Sequence, residues 1–435
     1  MKLWQKEQQK ATTAETTAFT VGNDRHFDLL LAPYDIQGTL AHIQMLHKVD
    51  LMNREDLDAL SHELEAIMEE IKSGNFKISD EAEDIHSQIE YLLTQKLGEA
   101  GMRIHTARSR NDQVALDIKL YLRDAILSIR ASLDTLFRLL QELSEKHKNA
   151  LLPGYTHMQI GMPSSFGIWF GAWAECLVDD LELLAACYSV ANKNPLGSGA
   201  GYGSSLPIDR EETTKLLGFR TMHYNVAAAQ MSRGRTERML ASGLAGIAST
   251  LGRMCMDICL FVGQNHGFIS FPEELTTGSS IMPHKKNPDL FELVRGHCNR
   301  IQSLPNELSL LLTNLPSGYH RDIQLTKEIL FPGIESLLDC IRILIHALPQ
   351  MQVKDHILKD EKYKFLFSVE AVNALVNSGM SFREAYRQIG TQIQLDQFTA
   401  PAFEASTHTH SGSMGNLCNN QICKEWELVM DKFGV

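Results

Sequence analysis

The stretch Gly278-Ser279-Ser280-Ile281-Met282-Pro283-His284-Lys285-Lys286-Asn287-Pro288 puts two hydroxyls, two ammonium groups and a side-chain amide in one loop. Glycine ahead of two serines lets such a loop move, while the prolines and the lysine pair stiffen its second half. A mobile hydroxyl beside cationic and amide donors suits removal of a proton next to a carboxylate, where negative charge builds up and must be held. The same composition also makes a solvated turn between helices, so the chemistry needs partners elsewhere. Arg103 to Gln113 supplies one group of them: RIHTARSRNDQ opens the longest helical stretch. Donors there add to the helix dipole and make a natural anion site, the bland alternative being a capped helix start with solvated arginines. Gly154-Tyr155-Thr156-His157-Met158-Gln159 supplies another. Its histidine can pass protons near neutral pH and its threonine can bind a carboxylate, although a lone histidine is more often an ordinary helix-cap or core residue.

Two further stretches invite readings that fail on spacing. Asn194 to Gly203 (NPLGSGAGYG) is rich in glycine, but no register gives G-x-G-x-x-G and the preceding segment is helical, which excludes a Rossmann dinucleotide site. His408-Thr409-His410 with Cys418 and Cys423 loosely permits zinc, yet four ligands at regular spacing are not evident, so no metal is expected.

The elements that must position these groups are helices. Glu55 to Lys72 places Leu57, Leu60, Leu64, Ile67, Met68 and Ile71 on one face, with Asn53 able to cap the start and Gly74 the end. Asn111 to Leu152 contains no glycine or proline, which predicts a helix of roughly 40 residues, about 60 Å long. Long helices are also predicted over Ser164–Ala191, Asn225–Gly263, Asn287–Asn314 and Ile323–Ala347, the last bent at Pro332. Stripes of that length imply a bundle to which several subunits contribute. The expected architecture is therefore mainly α. A mixed helical domain covers 1–103, a long central bundle 104–351, and a small helical domain 352–435.

In a chain of 435 residues a net charge of −12 argues against nucleic acid or an anionic membrane as the main partner, and leaves an anionic small molecule open. No apolar leader and no apolar run near the ~20 residues of a membrane span is visible. The eight cysteines are scattered through helical stretches and read as small buried hydrophobes, so a reduced, cytoplasmic setting is expected.

The loop at 278–288 closely resembles the GSSxMPxKxNP signature of the aspartase/fumarase superfamily. HTARSRNDQ, GYTHMQ and PLGSGA narrow the resemblance to its argininosuccinate lyases. Tyr34 to His42 is similar to their YDIxGSxAH element with Thr39 in place of serine, Glu83 to His86 to EDIH, and Gly318 to Gln324 to YNRDLQ. Together these cover about residues 27–390. The resemblance implies reversible cleavage of argininosuccinate to arginine and fumarate without a cofactor, in an aspartase/fumarase-type bundle. It assigns proton abstraction to Ser279, stabilisation of the resulting carbanion to Lys285 and Asn287, and protonation of the leaving nitrogen to His157 paired with Glu292. Substrate binding falls to Thr39, His86, Arg110, Asn111, Thr156, Tyr319, Arg321 and Gln324. It also implies a homotetramer with each site drawn from three chains. A sister lyase acting on adenylosuccinate or malate, or a silent structural relative, is the alternative. The chain departs from the family at Met162 (glutamine there), at Ala228 and Gly234 (acids there), and at Leu325-Thr326 (an acidic pair there), which bears on the arginine-side pocket.

Overall fold

The computed structural model describes residues 13–434 and is mainly helical. Thr13 caps α1 (Ala14–Val21), and α2 (Asp24–Lys48) and α3 (Arg54–Lys72) follow. The expected signals of α3 hold. Asn53 accepts the Asp56 amide at 2.7 Å, Gly74 turns left-handed at φ +74, and Leu57, Leu60, Leu64 and Ile67 form the buried face. Asp84 caps α4 (Ile85–Leu97), and the short α5 (Glu99–Met102) leads into α6 (Arg110–Lys146).

With 37 residues, α6 is about 55 Å long, but it ends before the predicted Leu152. Leu151–Thr156 instead forms β1, antiparallel to β2 (Gln159–Ser165). Pro153 is the physical reason: it lacks an amide to donate and drives Leu152 out of the helical region. Since Ser164 and Ser165 belong to β2, α7 (Phe166–Ala191) starts later than expected. Beyond it, β3 (Lys193–Asn194) pairs in parallel with β4 (Thr221–Met222) across α8 (Arg210–Leu216).

The predicted helix from Asn225 to Gly263 is two helices, α9 (Val226–Met231) and α10 (Arg235–Val262). Gly234 makes the break: its φ is +73, and any side chain there would collide with Leu312. After β5 (Ile269–Ser270), β6 (Thr277–Gly278) pairs antiparallel with β7 (Lys286–Asn287). The predicted helix from Asn287 to Asn314 is also divided, into α11 (Asp289–Ile301) and α12 (Leu304–Leu311). Asn287 is in a strand, and Pro305 has no amide to bond back towards α11. A 3-10 turn over Arg321–Leu325 precedes α13 (Thr326–Ala347), which carries Pro332 within it. Next, β8 (Gln352–Val353) pairs with β5, and α14 (Ser368–Asn377), α15 (Phe382–Gln394) and α16 (Asn419–Met430) follow.

The chain forms two compact units. The first takes residues up to 130, 183–246 and 300–337, and its core packs Ile36, Ile43 and Leu46 of α2 against Leu60 and Leu64 of α3 and Ile89 and Leu93 of α4. The second takes 131–182, 247–299 and residues from 338 onward. In it, Ala371 and Val372 of α14 pack on Ala385 and Ile389 of α15, while Trp426 stacks on Phe137 with ring centres 4.2 Å apart. Among the described residues only α10 is long and apolar enough to cross a bilayer. Its Leu240, Leu244, Ile247, Leu251, Cys255 and Ile258 are buried in the protein at the spacing of a core helix.

Candidate active site

In the first unit, a cavity of about 370 Å³ is lined by His86, Arg110, Asn111, Tyr319, Arg321 and Gln324, six of the residues singled out in the sequence. Three local structures bring them there. The first turn of α6 supplies Arg110 and Asn111, and Asp112 anchors that turn by accepting the amides of Ser109 (2.9 Å), Gly197 (3.1 Å) and Gly199 (2.8 Å). The glycine-rich run therefore spends its amides on a buried carboxylate. Only glycine adopts its φ of +80 and +59 at positions 197 and 199 without strain. The start of α4 supplies His86. The turn after Gly318 supplies Tyr319, Arg321 and Gln324, with Arg321 bonded to Glu83 at 2.8 Å and both Arg321 and Gln324 donating to the Thr20 carbonyl.

Charge in the cavity is nearly balanced. Lys327 reaches the lining from the first turn of α13, is almost fully buried, and bonds Asp24 and Asp28, which lie one turn apart on α2. Burial works against the Lys327 charge, but Asp28 and Asp24 outweigh it and hold its pKa above the ordinary value. One ammonium cannot neutralise two carboxylates, and burial pushes Asp24 up to about 6 and raises Asp28 as well. Arg233 also lines the cavity, buried against Glu237 at 3.4 Å. The sequence reading did not single out Lys327, Asp24, Asp28 or Arg233. A signal existed for the first three: acids at i and i+4 on one helix face, and a lysine three residues past Gln324.

Thr39 does not line this cavity. It is fully buried on α2 and accepts from Arg108 Nη1 at 3.1 Å. The guanidinium of Arg108 in turn lies 3.8 Å from Asp35, whose Oδ1 takes the His86 ring at 2.9 Å and the Gln113 amide at 2.7 Å. With Asp117, His86 and Asp35 are the only histidine, cysteine or acid group among the described residues whose donor atoms could share an ion. A cation there would compete with Arg108 and Gln113 for Asp35. His408 instead lies 3.4 Å from Glu370, and the ring of His410 faces the Ser411 carbonyl.

The second unit holds the remaining predicted residues. Thr156 ends β1, and His157 and Met158 form the tip of its hairpin with φ of +54 and +61. A two-residue turn with both φ positive is the type I′ hairpin, which asparagine and glycine normally fill. Here an exposed histidine and an exposed methionine are held in it instead. In the signature loop, the β6–β7 pair sets Gly278 against Lys286, so that Ser279 and Lys285 stand at the two ends of the loop. Ser279 Oγ accepts the Met282 amide at 3.1 Å and the Ile281 amide at 3.4 Å. Lys286 pairs with Glu273 at 2.8 Å, and Lys285 is exposed. Asn287 is half-buried in β7, and Glu292 faces solvent from the first turn of α11. Among the described residues, His157 and Glu292 make no hydrogen bond to each other within the chain.

The chain matches the Lyase family over residues 9–303. The argininosuccinate lyase of Bacteroides thetaiotaomicron is 50% identical over 432 residues, 99% of this chain and 96% of the relative. That of Parabacteroides distasonis is 50% identical over the same length, and that of Stenotrophomonas maltophilia 34% identical over 98% of this chain and 99% of the relative. Among solved structures, an EDDS lyase in complex with formate superposes with a TM-score of 0.75 at 18% identity, covering 98% of this chain and 91% of that one. A class II fumarase from Schistosoma mansoni gives 0.70 at 17% identity, covering 95% and 94%. These structural likenesses establish a shared helix-bundle fold.

Proposed function

The chain belongs to the Lyase family and, within it, to the argininosuccinate lyases, and we propose that it releases fumarate from argininosuccinate by proton abstraction at Ser279. The observation that carries this reading is the hydrogen bonding of Ser279. A serine hydroxyl is far too weak an acid to ionise unaided, and two loop amides already point at its oxygen. They favour the alkoxide by the same logic as an oxyanion hole. Lys285, at the other end of the loop, adds a positive charge whose field strengthens once the loop closes on substrate and excludes water.

The carbon that loses its proton is next to a carboxylate of the substrate, which takes up the charge as an aci-carboxylate. Lys285 and Asn287 hold that dianion. No cofactor is called for, because the electron sink is part of the substrate. His157, in concert with Glu292, protonates the departing guanidino nitrogen. The cavity of the first unit receives the rest of the molecule: Arg110, Asn111 and His86 hold carboxylates together with Thr156, while Tyr319, Arg321 and Gln324 contact the arginine portion. Thr39 acts through Arg108 rather than on the substrate.

The chain works as a homotetramer in the cytoplasm, the 104–351 bundle joining the subunits, with Asn111, His157 and Ser279 of one site coming from three chains. Such sharing lets Glu292 of one chain meet His157 of another. The decisive experiment follows fumarate absorbance with argininosuccinate, adenylosuccinate and malate in parallel, with no metal or nucleotide added. Turnover of argininosuccinate alone supports the assignment. A preference for either other substrate, or activity lost to a chelator and restored by zinc, overturns it.

A further inference from the structure

Three helices converge on a buried cluster behind the cavity. Asp35 comes from α2, His86 from the first turn of α4, and Gln113 and Asp117 from successive turns of α6. Gly38 permits the approach: a Cβ there would lie 2.6 Å from Leu116 Cδ2 and 3.6 Å from Asp117 Oδ1. His86 Nδ1 is 2.9 Å from Asp35 Oδ1 and 3.4 Å from Asp117 Oδ2. The Nδ1 proton is thereby donated to Asp35. Nε2 is left with no hydrogen-bond partner on a residue that lines the cavity, although His86 is only 1% exposed.

Asp117 is the unusual member. It is wholly buried, and neither of its oxygens has a hydrogen-bond partner. Arg108 lies 3.8 Å from Asp35 and balances it, whereas Asp117 is a second carboxyl whose named ion-pair contact is the His86 ring at 3.4 Å, with Arg108 and Arg110 acting on it from farther off. The charged groups around the cluster are Asp35 and Asp28 on α2, Glu90 on α4, Arg108 ahead of α6 and Arg110 at its start, with His105 facing Asp35. Burial first, and the Asp35 charge second, hold the Asp117 pKa well above the usual carboxylate range. An uncompensated carboxylate in such a place protonates rather than stay charged.

We infer that Asp117 and His86 keep one proton between them at neutral pH, on Asp117 while the cavity is empty and on His86 Nε2 once a carboxylate occupies it. A ligand carboxylate facing Nε2 favours the imidazolium. Asp117 faces the ring at Nδ1, which already carries a proton, so the transfer runs by exchange with water: the O–H bond of Asp117 breaks and its proton passes to water, water returns one proton to Nε2, and the new carboxylate becomes the partner of the new cation. Solvent supplies no net proton, so His86 meets an anionic ligand as a cation at pH values above its ordinary pKa of ~6.5. Asp117 is a positioning residue acting through His86. The inference rests on the carboxylate-bearing substrate proposed above and specifies how one part of that site is charged.

Infrared difference spectroscopy on the full-length protein with labelled aspartate tests it. The free enzyme near neutral pH should show the carbonyl stretch of a buried carboxylic acid, absent in Asp117→Asn, and fumarate should abolish it in the wild type. Calorimetry of fumarate binding in buffers of different ionisation heat gives the second readout. Relative to wild type, Asp117→Asn should take up about one additional proton per site. Its KM for argininosuccinate should rise ~tenfold per pH unit above the histidine range, with kcat little changed and the wild type flat over the same range. In a His86→Asn background the Asp117 substitution should leave the pH profile as it was. No carboxylic-acid band in the free wild type, or unchanged proton uptake in the variant, overturns the inference. Asp24 and Asp28 line the same cavity with raised carboxyls, so the band is also read in an Asp24→Asn/Asp28→Asn background, where it must persist even if Asp117→Asn does not fold. It is also independent of which substrate is turned over, so a wrong substrate assignment would show separately.

Discussion

Lys327→Met replaces a buried ammonium by an apolar chain of similar length and leaves two carboxylates facing one another. Asp28 is 2% exposed and Asp24 15%, so Asp24 can recover some water while Asp28 cannot. Asp28 keeps only the Ile85 amide, at 3.2 Å, as a named donor. Removing one partner of a buried ion pair costs about 3–5 kcal/mol, because the other charge is left uncompensated. The upper part of that range fits here, since one lysine serves two acids. The pH dependence follows from the direction of the carboxyl shifts. Asp24 and Asp28 already have folded-state pKa values above their unfolded ones, and losing Lys327 raises them further. A carboxyl raised in the folded state destabilises it above the folded pKa and ceases to do so below the unfolded one. The deficit of Lys327→Met is therefore largest at neutral pH and shrinks as pH falls towards ~4, the unfolded carboxylate range. Denaturant midpoints of wild type and variant, measured across that range, provide the assay. Lys327→Met/Asp28→Asn should recover a large part of the loss. A deficit under about 1 kcal/mol at neutral pH, typical of a solvated pair, would refute the reasoning. So would a deficit that is independent of pH.

Ser279→Ala should abolish turnover with substrate affinity retained, and Ser280→Ala should be milder; steady-state kinetics giving the reverse order would remove Ser279 as the base. Tetramers of His157→Asn mixed with Ser279→Ala under exchange conditions should regain partial activity, because some shared sites would carry neither defect. Exchange confirmed by mass with no regained activity would place both residues in one chain's site. Met158→Gly should raise thermal stability by about 1 kcal/mol, since the side chain is 73% exposed and the backbone sits at φ +61. A lower melting midpoint would mean that Met158 makes contacts in the assembled enzyme that the single chain does not show.

Local signals read correctly wherever their physics is local. Asn53 and Gly74 bound α3 because a cap acts within one turn, and the buried face of α3 follows from helical spacing alone. Where the sequence reading ran on, a single residue interrupted it. Pro153 turned a helix end into β1, and Gly234 and Pro305 each cut a predicted helix in two. His157 was read as part of a loop, and nothing in an exposed His-Met pair announces the left-handed turn that holds it.

The residue types of the site were legible as well, since a hydroxyl, a lysine and an amide in one loop limit the chemistry whatever the fold. Which of them meet was not. His86, Arg110 and Tyr319 share a cavity, and Lys327 joins Asp24 and Asp28 across some 300 positions of chain. Thr39 lies one turn from Asp35 on α2 yet packs against Arg108 instead of lining the cavity. Capping and helical periodicity are interactions over a few residues, so sequence alone determined where helices run, though not where α6, α9 and α11 stop, and the residue types of its motifs determined the reaction class. Long-range pairing depends on how whole helix faces pack, and on where burial leaves a charge with one partner or none. Only the tertiary structure could therefore decide that Lys327 serves two acids and that Asp117 faces little except a histidine.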